Sequence, residues 1–108
     1  MTTYTPDKWV VIELMNDDTN IVRKVLGSWY GGYAGSDNWR TSSGIIEVIE
    51  EPDKYIIVNE SGSTYICWKD NQGMSSYTAM IFNGWVEEAE KSNGKYSIKL
   101  CTFPEDMI

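Results

Sequence analysis

Trp29, Tyr30, Tyr33 and Trp39 place four large rings within residues 29–39, interleaved with Gly31, Gly32 and Gly35 and followed at once by Arg40. These residue types suit a small, flat, negatively charged ligand. A ring stacked on a nucleobase is worth about 1–3 kcal/mol, which makes Tyr33 and Trp39 candidate platforms, supported by Trp29 and Tyr30. A guanidinium such as that of Arg40 pairs with phosphate or carboxylate through parallel charge-assisted hydrogen bonds. Backbone amides of the glycines, with the hydroxyls of Ser42 and Ser43, can complete an anion cradle. Asp37 can read a base edge or a ribose hydroxyl. The competing reading is structural: Trp29 and Trp39 cover the open end of a sheet, and the glycines serve tight turns. Both explain why a connection, which ordinarily runs through water, carries so much ring area.

The remaining chemistry points away from catalysis. The chain has no histidine, so the commonest general base and metal ligand is missing. Cys67 and Cys101 stand far apart without a CxxC pattern, which argues against structural zinc. They read as small buried hydrophobes and could be cross-strand neighbours. No phosphate-loop or dinucleotide fingerprint occurs. Glu87, Glu88 and Glu90 read as the solvated face of a helix. The expectation is a non-catalytic protein with no cofactor and no metal.

The 108 residues fit one domain spanning 1–108. Five Trp and seven Tyr against two Phe favour rings with a polar handle, the type that serves binding faces. Sixteen acidic and nine basic residues give a net charge of −7. Such a balance lacks the basic footprint of a nucleic-acid binder and the basic amphipathic patch of a membrane-surface protein. One arginine beside small hydroxyl residues in an acidic chain suits a small anion better than a long polyanion, which needs many basic contacts. The first residues show neither a basic leader nor an apolar run. A cytoplasmic protein with reduced thiols is therefore expected.

The elements that must position these groups follow from periodicity. Residues 9–15 and 21–30 read as a hairpin around the turn cluster Asn16 to Asn20. Each face of its second strand mixes apolar and polar residues, which leaves the register open. Residues 44–51, 54–60 and 64–69 read as a meander with turns at Pro52-Asp53 and Ser61-Gly62-Ser63. Tyr77, Met80, Ile81, Trp85 and Ala89 recur at helical spacing over 75–91, with Ser75 or Ser76 as N-cap and Gly94 past the end. Residues 95–103 alternate as a last, half-buried strand. The predicted fold is α+β but mostly β: one curled antiparallel sheet of about six strands, with a helix before the last strand.

The pieces Lys8-Trp9-Val10-Val11-Ile12-Glu13-Leu14, Ser28-Trp29-Tyr30-Gly31-Gly32-Tyr33, Asp37-Asn38-Trp39-Arg40-Thr41-Ser42-Ser43-Gly44-Ile45 and Asn59-Glu60-Ser61-Gly62-Ser63 resemble small uncharacterised proteins of large tailed phages, nearest those of the T-even-like group that infect marine cyanobacteria. The resemblance covers most of the chain and carries no site residues with it. It implies a viral protein acting in the host cytoplasm, where small phage proteins without catalytic equipment block host processes by binding. Among such proteins are anti-defence binders that sequester cyclic nucleotide signals, often as homo-oligomers with aromatic and arginine contacts. The functional expectation is thus an accessory protein that sequesters a small nucleotide-like anion. Its rivals are an acidic inhibitor of a host nucleic-acid-binding or defence protein, and a minor virion or assembly protein.

Overall fold

Trp9, Val10, Val11 and Ile12 are all buried, although successive residues of a strand point to opposite faces. A strand can bury both sets only if it lies between two layers. In the computed structural model, which describes residues 2–16, 20–30 and 38–106, this is its position. The elements run β1 (Thr3–Tyr4), β2 (Lys8–Asn16), β3 (Asn20–Trp29), β4 (Asn38–Thr41), β5 (Ile45–Glu50), β6 (Lys54–Asn59), β7 (Thr64–Trp68), a 3-10 turn (Lys69–Asn71), α1 (Ser76–Lys91) and β8 (Tyr96–Cys101). The described strands form two four-stranded sheets, ordered β4-β3-β2-β8 and β1-β7-β6-β5. Trp9 and Val11 of β2, with Val25 of β3, meet Tyr55, Ile57, Tyr65 and Cys67 of the other sheet. Val10, Ile12 and Leu26 on the reverse face pack under Phe82 of α1, with Trp85 and Val86 alongside. The order of layers is sheet, sheet, helix.

The mostly-β α+β class and the helix before the last strand agree with expectation; the single six-stranded sheet does not. The chain completes β2–β4 in one sheet, crosses to build β5–β7 in the other, and returns for β8. Two strands carry too little periodicity to be read in advance. β1 has two residues and pairs in parallel with β7, Thr3 opposite Thr64 and Tyr4 opposite Tyr65. β4 lies inside the segment read as an aromatic loop. The mixed faces of the hairpin also find their reason: its sheet is covered on both sides, and its pairing runs from Lys8 opposite Ser28 to Asn16 opposite Asn20.

Trp9 ties the layers together. Its indole Nε1–H donates to the Trp68 carbonyl at 2.7 Å, and its ring meets Tyr55 and Phe103 edge-on at 5.8 Å each. The Trp9 carbonyl accepts from the Gly73 N–H at 2.7 Å. Four residues further along the same face, Glu13 is buried and is held by Arg23 at 3.0 Å and Lys99 at 3.4 Å. Cys67 and Cys101 are free thiols in opposite sheets of the inter-sheet core, not neighbours in one sheet. Burial raises both thiol pKa values, which keeps them protonated and unreactive.

Helix α1 begins as expected: the Ser75 Oγ accepts from the Thr78 N–H at 3.2 Å, a serine N-cap. Its buried line is Thr78, Phe82 and Ala89, with Trp85 and Val86 half-buried. Of the expected stripe, Met80 and Tyr77 face water, at 67% and 38% exposure. The inward face is thus rotated by about one residue, because Phe82 and not Ile81 fills the gap above Leu26. Among the described residues no helix is long and apolar enough to cross a membrane.

Truncating Trp9 to alanine removes the indole bond and both ring contacts. The expected loss is about 3–5 kcal/mol, a large share of the roughly 5–15 kcal/mol typical of a whole domain; urea unfolding followed by circular dichroism measures it. Gly84 is exposed within α1, and a Cβ there would meet nothing within 4 Å. Gly84→Ala is expected to raise stability by about 0.5–1 kcal/mol, read as a higher urea midpoint at an unchanged slope.

Candidate functional site

β4 is the edge strand that carries Trp39 and Arg40, and its register with β3 decides what each can do. Asn38 lies opposite Trp29, Trp39 opposite Ser28, Arg40 opposite Gly27 and Thr41 opposite Leu26. Directly paired residues share a face of the sheet. Arg40 and Asn38 therefore stand on the side of Val25 and Trp29, toward the second sheet. Trp39 and Thr41 stand on the side of Leu26, toward α1. Gly27 has no side chain because Pro6 comes close: a Cβ at 27 would lie 3.0 Å from the Pro6 Cβ.

On the inner side, the Arg40 Nη1 donates to the Tyr4 hydroxyl at 2.9 Å, and the guanidinium carbon lies 4.8 Å from the centre of the Tyr4 ring. Tyr4 leans on Tyr65 at 4.9 Å and meets Trp29 edge-on at 6.2 Å. Arg40 is exposed, and among the described residues no carboxylate lies within ion-pair distance of it. Beside it opens a polar hollow of about 350 Å³ lined by Tyr4, Arg40, Ser42, Ser43, Ser61 and Ser63, with Tyr65 at its base. A shallow depression of about 370 Å³ adjoins it, lined by Tyr4, Trp29, Asn38, Trp39 and Arg40. Tyr4 and Arg40 are common to both.

The hydroxyl inventory of the polar hollow gives it a sign. Ser43 Oγ donates to Ser61 Oγ at 3.0 Å, and Ser61 Oγ donates to Ser63 Oγ at 3.1 Å. Three hydroxyls share two bonds, so one O–H remains to donate whichever way the chain of bonds runs. Ser63 is steadied from behind by the Asn59 Nδ2, 3.2 Å from its Oγ. The Tyr4 hydroxyl accepts from Arg40, which leaves its own proton to give. Guanidinium, phenol and serine thus present donors to one space. The nearby Glu60 carboxylate lies close against Gly44, 3.0 Å from where a Cβ would stand, and is not part of the wall.

On the helix side of β4 lies a third hollow, about 410 Å³ and mostly apolar, lined by Ile12, Leu14, Ile98, Trp39, Trp85, Tyr96 and Glu88 beside Thr41. Trp39 meets Trp85 edge-on here, 5.4 Å apart at 70°.

The sequence-based set is therefore divided. Arg40, Ser42 and Ser43 are brought together, and Trp29, Trp39 and Arg40 share the adjoining depression. Ser42 is buried and already committed: its Oγ accepts from the Val25 N–H at 2.9 Å and donates to the Ser43 carbonyl at 2.7 Å. It holds the turn after β4 and has no proton left for a ligand. Trp29 is partly spent as well, donating from Nε1 to the Thr5 carbonyl at 3.0 Å. Tyr30 is half exposed, its N–H bound to Asp7 at 2.8 Å, and it lines none of the three hollows. Tyr33 and Asp37, with the glycine amides of residues 31, 32 and 35, lie outside the described residues. Sequence reasoning missed Tyr4, Ser61, Ser63 and Tyr65. The Ser-Gly-Ser run was legible as a turn, but nothing local said that β1 would lay Tyr4 beside it. Among the described residues no group of histidine, cysteine, aspartate or glutamate side chains is arranged to hold a metal. No known protein family, curated protein or solved structure matches this chain.

The buried Tyr65 phenol reports on this site. Burial pushes its pKa up to about 12, with the charge of Arg40 pulling the other way. The unfolded chain releases the same proton near pH 10. Between these values the unfolded state binds fewer protons, so stability present below pH 10 is lost as the pH rises toward 12, by up to about 1.4 kcal/mol per pH unit. Tyr65→Phe is expected to flatten that decline in urea midpoints measured from pH 9 to 12; identical slopes in the two proteins would contradict the assignment.

Proposed function

We propose that this protein is a non-catalytic binder that sequesters a small nucleotide-like anion, with the phosphate or carboxylate in the polar hollow and the planar moiety against the adjoining rings. The observation that carries the reading is Arg40, which borders both spaces and has no described carboxylate partner. Its guanidinium, the Tyr4 hydroxyl and the serine chain supply donors to an anion. Trp29, Tyr4 and Trp39 supply ring surface in the adjoining depression. Hollows of this size fall in the range of small-molecule sites, roughly 300–1,000 Å³. In this reading, protein in excess of ligand and of the Kd lowers the free ligand by mass action. A second copy across the edge of β4 would complete the enclosure. The phage resemblance gives the activity a setting: a host signalling nucleotide withdrawn from its receptor.

The acidic-inhibitor reading is less well supported by the charge arrangement. Glu50 pairs with Lys69 at 2.6 Å, Glu51 and Asp53 with Lys54 at 3.1 and 3.4 Å, and Glu13 with Arg23 and Lys99. A polyanion mimic needs an unbroken acidic stripe, and these lysines interrupt it.

Calorimetric titration with inorganic phosphate, a mononucleotide and a cyclic dinucleotide tests the proposal. Saturable binding to at least one nucleotide is expected, weakened tenfold or more by Arg40→Ala, since a hydrogen bond to a charged group is worth about 1.5–3 kcal/mol. Arg40→Lys should restore only part of it, because an ammonium lacks the planar fork. Bound ligand should be recovered intact after heating. No heat with any of the three, or recovery of a cleaved ligand, would sink the reading.

A further inference from the structure

The hollow on the helix side of β4 has a different chemistry from the polar one. Its walls are the aliphatic side chains Ile12, Leu14 and Ile98, and three aromatic residues from three separate elements: Trp39 of β4, Trp85 of α1 and Tyr96 of β8. Two of these rings stand near a right angle, 5.4 Å apart and 70° between planes. In an edge-to-face pair one ring keeps both faces clear of its partner, and a ring face attracts an organic cation. Its charged wall residue is an acid. Glu88 sits three residues after Trp85, on the same face of α1. Its carboxylate is 3.9 Å from Lys91, with both side chains more than two-thirds exposed, a pairing that solvent leaves weak. The backbone of Tyr96 is held by Ser92, whose Oγ lies 3.3 Å from both its nitrogen and its carbonyl oxygen. Lys24 lies on this face opposite Ile12 but is not one of the walls.

The geometry points to a second ligand site in this hollow, for a small organic cation: a methylated ammonium held by Trp39, Trp85, Tyr96 and Glu88, on an apolar body that fills the space over Ile12, Leu14 and Ile98. The two sites differ in their charged groups, since Arg40 extends to the opposite face of the strand from Glu88, while Trp39 borders both spaces. The negative charge of the whole chain, −7, favours the approach of such a ligand at low salt.

The test uses benzyltrimethylammonium and its uncharged carbon isostere neopentylbenzene, titrated into the full chain and followed by proton NMR. The N-methyl protons should shift upfield saturably as they enter the ring currents, and the isostere should bind at least several-fold more weakly. Trp85→Leu is expected to weaken cation binding roughly 2- to 30-fold, the span of measured cation–π effects. Glu88→Gln, at an exposed position that leaves packing intact, should weaken it and reduce its salt dependence. Glu87→Gln, on the same helix but outside the hollow, should not. Lys24→Gln should leave binding equal or tighter, and Arg40→Ala should leave it unchanged. Three results each overturn the assignment: no saturation by millimolar cation, an isostere that binds as tightly as the cation, or loss of binding in Arg40→Ala with Glu88→Gln unaffected.

Discussion

The structure depends on one strand being buried on both faces. β2 sends Trp9 and Val11 into the core between the sheets and Val10 and Ile12 under the helix. Removing water from both sides of four consecutive residues stabilises by roughly 1.5–3 kcal/mol for each large side chain. The neighbouring β3 repeats the arrangement, with Val25 in the inter-sheet core and Leu26 under the helix. The arrangement obliges the second sheet to cover one face and α1 the other. The Trp9 indole bond to the Trp68 carbonyl then ties the two sheets at one level, satisfying a polar group that burial would otherwise leave orphaned. At the far end of the same row Glu13 is buried as a charge, which is tolerable only because Arg23 and Lys99 reach it.

From that layering comes the character of the edge strand. β4 continues the sheet that holds β2, so its alternate residues face the same two environments. Arg40 emerges on the side where the second sheet stops short, among hydroxyls from the β6–β7 turn. Trp39 emerges on the side where the helix stops short, among aliphatic and aromatic groups. The two hollows are the margins of the two cores, places where a layer ends before its neighbour does. Their opposed chemistry follows from strand geometry: Trp39 and Arg40, adjacent in β4, extend to opposite faces of the sheet. The shallow depression that does include both exists because β4 is an edge, around which side chains from either face can be reached.

The aromatic segment was legible as unusual and its ring area as destined for contact, but its secondary structure was not. Four residues, Asn38–Thr41, give too short a run to show alternation, and the flanking glycines argued for turns. The polar site was half legible. Arg40 and Ser43 stood out by their proximity in sequence to each other and to the rings. Ser42 looked equivalent to Ser43, yet it sits one position closer to β3, where the Val25 amide needs an acceptor. Tyr4, Ser61, Ser63 and Tyr65 were invisible as partners because the contacts that join them are long-range. Trp85 read as part of the helix's apolar stripe, Tyr96 as part of a half-buried strand and Glu88 as a solvated charge, because nothing local tells where a covering helix leaves its sheet bare.

By itself the chain's order of residue types determined the mostly-β class, the meander, the extent and capping of α1, the presence of a last strand and the lack of histidine-based chemistry. All of these rest on interactions between residues close in sequence, where periodicity and turn preferences act directly. Tertiary structure alone decided that the strands form two sheets and not one, that the two cysteines lie in opposite sheets, that the inward face of α1 centres on Phe82, and that Trp39 and Arg40 part company. These outcomes are settled by which apolar faces find each other across long stretches of chain. Burial energy has no direction and no memory of sequence distance, so only the assembled layers specify its result.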